Sequence, residues 1–170
     1  MDLLDRLLGH DEWTTSELLR RCQELSSDQM HQPFDIGWCT VHRTLVHMVS
    51  NVRTWTDLMA GQDASESGEG WWDYDLAALT RAHEESWRDF AAIAHRVQDQ
   101  QLWNENFVDT LDSPPTSKTL GGGVLHVITH NMHHRSEVLH ILARLGLEDL
   151  PEGDLLGWEQ NVAANKEVIH

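Results

Sequence analysis

The chain has 170 residues, enough for one well-buried core, and we expect a single domain over residues 1–170. Its 28 acidic residues outnumber its 12 lysines and arginines, and the formal charge of −16 argues against general binding to nucleic acid or to anionic membranes. No apolar run approaches the roughly 20 residues of a membrane span, and the start lacks a signal-peptide pattern. We therefore expect a cytoplasmic protein without a membrane partner.

The first part of the sequence predicts one helix followed by a loop. Residues 2–25 repeat leucine at helical spacing, although weak helix formers in residues 9–15 leave the continuity of this helix open. Pro33 then indicates a loop. Cys22 and Cys39 are the two cysteines of the chain. Because their spacing is unlike that of a disulfide framework, we expect both to be small buried residues in a reducing compartment.

A second helix is predicted between a threonine and a glycine. Thr40 has a side chain that can cap the N-terminus of this helix, and Gly61 can end it. One apolar face is formed by Val41, Leu45, Met48, Val49, Val52, Trp55 and Met59. His47 lies in the middle of this apolar pattern, where an unpaired imidazole would be costly.

An acidic linker leads to a third helix and then to a long connection. We predict the third helix over residues 74–97. Residues 98–118 contain the consecutive prolines Pro114 and Pro115, which forbid a regular helix and predict a long crossing over one end of the molecule. A short extended piece is predicted at residues 107–111.

The fourth predicted helix, residues 121–146, carries an unusual number of histidines. Three glycines open it and one glycine closes it. We expect its core-facing stripe to consist of Val124, Leu125, Ile128, Met132, Leu139, Leu142 and Leu145. Five histidines lie on the same helix: His126, His130, His133, His134 and His140.

These elements predict an all-α fold, a four-helix bundle with long connections and one last short helix in the tail. Bundle cores often hold metal ions, because side chains from facing helices point inward together. His130 and His134 are four residues apart, so their imidazoles can converge on one ion. A metal site that stays open for chemistry usually has three protein ligands, and His47 is the best third one.

Three segments resemble the DinB family of metal-binding four-helix bundles. Residues 40–61, TVHRTLVHMVSNVRTWTDLMAG, are similar to the first histidine segment of that family. Residues 125–146, LHVITHNMHHRSEVLHILARLG, are similar to its second, and residues 145–160 are similar to its tail. The resemblance implies a DinB-like bundle over nearly the whole chain.

The resemblance also implies that the three metal ligands of the family fall on His47, His130 and His134. After the His-Arg pair the family usually continues with Gly-Gln, whereas this chain has Ser136 and Glu137. We hypothesise that Glu137 is an outer-shell carboxylate or a proton acceptor near the site.

Neutral imidazole ligands suit zinc or nickel first, with iron or copper as alternatives. A bound thiolate would attack an electrophile and a bound hydroxide would hydrolyse one, and the sequence leaves both open. The resemblance implies a metal-dependent enzyme, either a thiol-dependent S-transferase using a low-molecular-weight thiol or a hydrolase, acting on a small electrophilic substrate. It also implies pairing as a homodimer.

Two other classes of protein fit the histidine pattern. One is a non-enzymatic metal-binding or stress-response module with a structural ion, which a fourth ligand from His126 would favour. The other is a plain bundle with incidental histidines.

Other histidines and several tryptophans are predicted to lie away from the metal ion. His126 is expected at the surface or at a pocket rim unless it is a fourth or substitute ligand, and His133 is expected in the outer shell or exposed. We expect His42 and His140 to face solvent. Four tryptophans are predicted in the core rather than in a substrate box: Trp38, Trp55, Trp87 and Trp103.

Overall fold

The computed structural model describes residues 1–64, 68, 70–151 and 153–167. Within them, the six α-helices are α1 (Leu3–Cys22), α2 (Ser27–Met30), α3 (Val41–Met59), α4 (Leu76–Asp99), α5 (Leu120–Arg144) and α6 (Leu155–Glu167). The two strands are β1 (Asn106–Asp109) and β2 (Thr116–Thr119), and a single 3₁₀ turn covers Trp71–Asp73. The predicted helical fold class is confirmed.

Helix α1 is continuous across residues 9–15. Its N-terminus has a reciprocal cap, in which the carboxylates of Asp2 and Asp5 each accept the backbone N–H of the other residue. Gly9 allows the α6 residue Trp158 to approach closely, since a Cβ atom at Gly9 would lie 2.7 Å from the indole. Gly9 therefore serves a tertiary contact between α1 and α6.

Four long helices form the bundle. Helix α3 packs against α4 and α5, and α1 packs against the same two helices from the other side. Neighbours around the ring are thus α1, α4, α3 and α5. Thr40 caps α3 as predicted, because its hydroxyl accepts the backbone N–H of Arg43. Gly61 follows the end of α3 with φ +71°.

A buried polar layer divides the core into two apolar halves. One half contains Trp87, Phe90, Val124 and Val127, and the other contains Leu18, Leu45, Met48 and Leu142. Between them lie buried polar residues from three helices: Asp11, Thr14, Thr15, His83, Ser86, Asn131 and Arg135. The layer lies at the level of the α5 histidines.

This layer explains an error in the predicted core stripe of α5. Leu125 is 53% exposed and Met132 is 49% exposed, whereas Asn131 and Arg135 are turned inward. Both inward residues contact the Asp11 carboxylate of α1, so a buried charge pair fixes the rotation of α5.

The long connection between α4 and α5 contains an antiparallel β-hairpin. Strand β1 pairs with β2 from Asn106 opposite Thr119 to Asp109 opposite Thr116. The short extended piece predicted at residues 107–111 corresponds to β1. Thr119 then caps α5 directly, because its hydroxyl accepts the backbone N–H of Gly122.

Two further predictions around the start of α3 were wrong. Cys39 is exposed rather than buried, and it has φ +70° in the turn before the helix. His42 is buried rather than solvent-facing, because its Nε2–H donates to the backbone oxygen of Tyr74 at 2.8 Å. Cys22 and Trp87 are buried as predicted.

Among the described residues, no helix combines the length and the apolar character that crossing a membrane requires.

Candidate metal centre

Helices α3 and α5 bring three histidine rings together. His47 of α3 faces His130 and His134 of α5, and one nitrogen from each ring lies within 4.8 Å of those of the other two. The Nε2 atoms of His47 and His130 are 3.4 Å apart. Imidazoles bound tetrahedrally to zinc at 2.0–2.1 Å place their nitrogens roughly 3.3 Å apart. The His47–His130 pair already has this spacing.

Two rings of the cluster, His47 and His130, lie where a positive charge is unfavourable. Burial, together with the neighbouring His134 and His130 rings, lowers the pKa of His47 to about 4. Burial and the adjacent imidazoles also lower the pKa of His130 to about 4. Neutral imidazoles are the form that binds a metal ion, so neither His47 nor His130 has to lose a proton from a charged ring at neutral pH.

Glu137 orients His134 from behind. The Nδ1–H of His134 donates to Oε2 of Glu137 at 2.6 Å, and both side chains are largely buried. This bond leaves the Nε2 lone pair of His134 available, which is the carboxylate–histidine arrangement common behind metal ions. The exposed His133 contacts the other oxygen of Glu137 at 3.2 Å.

Gly37 makes room for the Glu137 carboxylate. A Cβ atom at Gly37 would lie 2.5 Å from Oε2 of Glu137, and the residue has φ +54°. Glycine is the residue that tolerates both the close approach and the left-handed backbone. The loop before α3 is therefore shaped around the outer shell of the site.

Asn51 and Trp55 set the proton position on His130. An indole N–H can only donate, so Trp55 Nε1 donates to Oδ1 of Asn51 at 3.0 Å. The amide nitrogen of Asn51 then donates to Nδ1 of His130 at 3.2 Å. The neutral His130 ring consequently carries its proton on Nε2, and ligation through Nε2 requires a change of tautomer.

Two aromatic side chains border the cluster. Trp38 stacks on His47 with ring centroids 4.5 Å apart and is 37% exposed, so its predicted core position was wrong. Its loop position before α3 places it over the histidine ring. On the other side, the half-buried Trp55 packs against His126 with centroids 4.5 Å apart. Trp103 is also half-buried.

His126 is not part of the three-histidine group. Its ring lies 5.1 Å from that of His130 but packs on Trp55, which agrees with a position at the rim. His140 is exposed as predicted.

Sequence reasoning missed Asn51, Gly37 and the site position of Trp38. Asn51 carries a usable signal, because it follows His47 by four residues and so lies one turn along the same helix face. Gly37 and Trp38 carry none, since a loop residue has no periodicity that shows what it faces.

The donor set fits a divalent transition metal. Three imidazole ligands suit zinc, nickel, copper or ferrous iron, and the outer-shell carboxylate on His134 strengthens that fit. His133, His134 and Glu137 form a second group of potential ligand atoms, but it shares His134 with the first and His133 is exposed. The cluster could therefore hold a metal ion, with ligation by His47, His130 and His134 remaining a prediction.

Fold and site together define a four-helix bundle with a histidine cluster between two of its helices. A sequence model of the DinB family matches residues 1–160. This chain belongs to the DinB family.

A solved structure of similar architecture supports the fold. A crystal structure of a candidate DinB family member from Exiguobacterium sibiricum 255-15 superposes with a TM-score of 0.65 at 17% sequence identity. The match covers 89% of this chain and 95% of the other. No match was found among curated proteins.

Proposed function

We propose that this DinB family protein is a metal-dependent enzyme whose ion is held by His47, His130 and His134. The observation that carries the proposal is the convergence of three imidazoles from two helices, with Glu137 bonded to His134 at 2.6 Å. A divalent ion bound there supplies Lewis acidity, which lowers the pKa of a coordinated thiol or water.

The reaction class we propose is S-transfer from a low-molecular-weight thiol or hydrolysis, in either case on a small electrophilic substrate. An open metal position is what either reaction needs, and the packing of His126 on Trp55 supports three ligands rather than four. A purely structural ion would instead favour a closed set of four protein ligands.

The chain's own residues have distinct roles in this proposal. Glu137 keeps the His134 proton on Nδ1 and so keeps Nε2 directed at the cluster. Trp38 covers one face of His47 and limits access of water from that side. Trp55 and His126, whose ring centroids lie 4.5 Å apart, would contact a small substrate bound beside the ion.

The experiment is a turnover assay of zinc- and nickel-loaded protein with two classes of reactant. In the transfer assay, bacillithiol or mycothiol loses its thiol proton, the sulfur–carbon bond to monochlorobimane forms, and chloride leaves. In the hydrolysis assay, water cleaves an activated ester to an acid and an alcohol. We expect metal-dependent turnover in one of the two assays.

The matched variants are His134→Ala, which removes a proposed ligand, and His140→Ala, which removes an exposed histidine of the same helix. Activity should be lost in the first variant and kept in the second. Absence of metal-dependent turnover in both assays, with metal bound, would show that the proposed reaction classes are wrong.

A further inference from the structure

A cavity with Trp72 in its wall lies outside the histidine cluster. It has a volume of about 730 Å³ and lies between the end of α1, helix α2 and the turn that leads into α4. None of the three clustered histidines lines it. Small-molecule pockets commonly have volumes of about 300–1,000 Å³, so this cavity has the size of a ligand site.

The apolar part of the cavity wall can hold the body of an organic molecule. Met30 and Leu76 line it from α2 and α4. Trp72, which is 45% exposed, and Tyr74, which stacks on Trp71 with centroids 5.6 Å apart, add aromatic surface. Aromatic faces attract cations, because the ring quadrupole places negative charge above the ring.

Two imidazoles in the wall present hydrogen-bond acceptors. His42 donates its Nε2–H to the backbone oxygen of Tyr74, and His31 donates its Nδ1–H to the backbone oxygen of Ser27, each at 2.8 Å. A backbone oxygen only accepts, so these assignments are fixed. The other nitrogen of each neutral ring is then an acceptor. The two rings stack with centroids 4.8 Å apart.

The charged groups of the wall are acidic. Asp73 and Asp75 line the cavity, and no lysine or arginine does so among the described residues. Arg43 lines a smaller cavity of about 450 Å³ that shares His31, His42 and Trp72 with this one, and its guanidinium lies 5.7 Å from the centroid of the Trp72 ring. The net charge of −16 also raises the local concentration of cations near such a wall.

We propose that this cavity binds a small organic ammonium compound with an apolar body. The ammonium group donates to Asp73 and the free imidazole nitrogens and lies near the face of Trp72, while the body packs on Met30 and Leu76. The site is separate from the histidine cluster and does not depend on a metal ion. It therefore goes beyond the function proposed above.

The test uses three probes of similar shape and different charge. Isothermal titration calorimetry is run at about pH 8 with 2-phenylethylammonium, neutral 2-phenylethanol and anionic 3-phenylpropanoate. We expect the ammonium probe to bind at least about ten-fold more tightly than the alcohol, and the anion to bind most weakly. Equal binding of the three, or preference for the anion, would overturn the proposal.

A pair of charge-matched variants locates the site. Asp73→Asn removes a carboxylate in the cavity wall, and Asp99→Asn removes one at the C-terminal end of α4, so both change the net charge equally. Both positions are exposed, so the fold should persist. Affinity for the ammonium probe should fall roughly five-fold in the first variant and remain unchanged in the second. Equal effects of the two would overturn the proposal.

The histidine cluster is tested separately in the same titrations. Protein treated with a chelator and protein loaded with zinc should bind the ammonium probe equally. If only zinc-loaded protein bound it, the ligand would belong to the metal site and the inference of a separate cavity would be wrong. Failure to load zinc would weaken the proposed enzyme without affecting this inference.

Discussion

Replacing Glu137 by glutamine tests whether the carboxylate behind His134 supports metal binding. The substitution keeps the size of the side chain and an oxygen that can accept the His134 Nδ1–H. It removes the negative charge from a bond of 2.6 Å whose partners are 10% and 14% exposed. Metal affinity should therefore fall while the fold is retained.

The expected loss is about ten-fold. Removing outer-shell partners of metal-bound histidines typically costs 10–100-fold in affinity. Because glutamine retains the hydrogen bond, we expect a value near the lower limit, equivalent to about 1.4 kcal/mol. The hydrogen bond from His134 to Glu137 is charge-assisted, and a bond of that kind is roughly twice as strong as the neutral bond that glutamine would accept. The substitution should therefore weaken metal binding without abolishing it.

The assay is a competition titration of zinc against a chromophoric chelator. His133→Gln is the matched control, because His133 contacts the other oxygen of Glu137 at 3.2 Å but its side chain is 69% exposed. Its affinity should stay within about two-fold of wild type. Equal zinc affinity of wild type and Glu137→Gln would refute the role assigned to this carboxylate.

Three further changes test the surroundings of the site. Asn51→Asp should raise zinc affinity several-fold, because a carboxylate can accept hydrogen bonds from both the Trp55 indole N–H and the Nδ1–H of metal-bound His130. An unchanged or lower affinity in the same chelator titration would contradict the assignment of the His130 proton to Nε2 in the metal-free protein. Gly37→Ala should weaken zinc binding and lower stability, because its Cβ would meet the Glu137 carboxylate. Gly61→Ala, also at positive φ but with open space around it, should only destabilise the fold by about 1 kcal/mol. Equal zinc affinities of the two variants would argue against the contact between Gly37 and Glu137. Burial lowers the pKa of His83 to about 4, so as the pH falls the unfolded chain takes up a proton near pH 6.5, before the folded chain does. Between pH 6.5 and pH 4 the free energy of unfolding of wild type should therefore fall by up to about 3 kcal/mol relative to that of His83→Gln. Parallel pH profiles of the two proteins in urea unfolding would show that this histidine is not buried as a neutral ring.

Helix positions were predictable from the sequence because the caps are local. Thr40 and Gly61 carry their capping chemistry in their own side chain or backbone, and α3 begins and ends beside them. The apolar face of α3 followed from simple periodicity in the same way. No distant residue had to be known.

The inward face of α5 could not be predicted in this way. Asn131 and Arg135 are polar, and they point inward only because Asp11, more than a hundred residues earlier, supplies a buried partner. The apolar periodicity therefore predicted that Leu125 and Met132 face the core, whereas both are exposed. A long-range ion pair overrides the local pattern, and a single sequence does not show it.

The candidate site was partly predictable for a related reason. The spacing of His130 and His134 is local, the apolar surroundings of His47 on its helix pointed to it as the third ligand, and the resemblance to the DinB family implied the same three residues. The loop residues Gly37 and Trp38 approach these rings through the tertiary fold, so their roles are visible only in three dimensions.

Metal content tests most directly whether one ion joins the two helices. Wild type and the single variants His47→Ala, His130→Ala, His134→Ala and His140→Ala are purified without a histidine tag from metal-supplemented buffer and measured by elemental analysis. We predict about one divalent transition-metal ion per chain in wild type and in His140→Ala, and close to none in the other three. A wild-type protein without metal, or cluster variants that retain a full complement of it, would contradict the account.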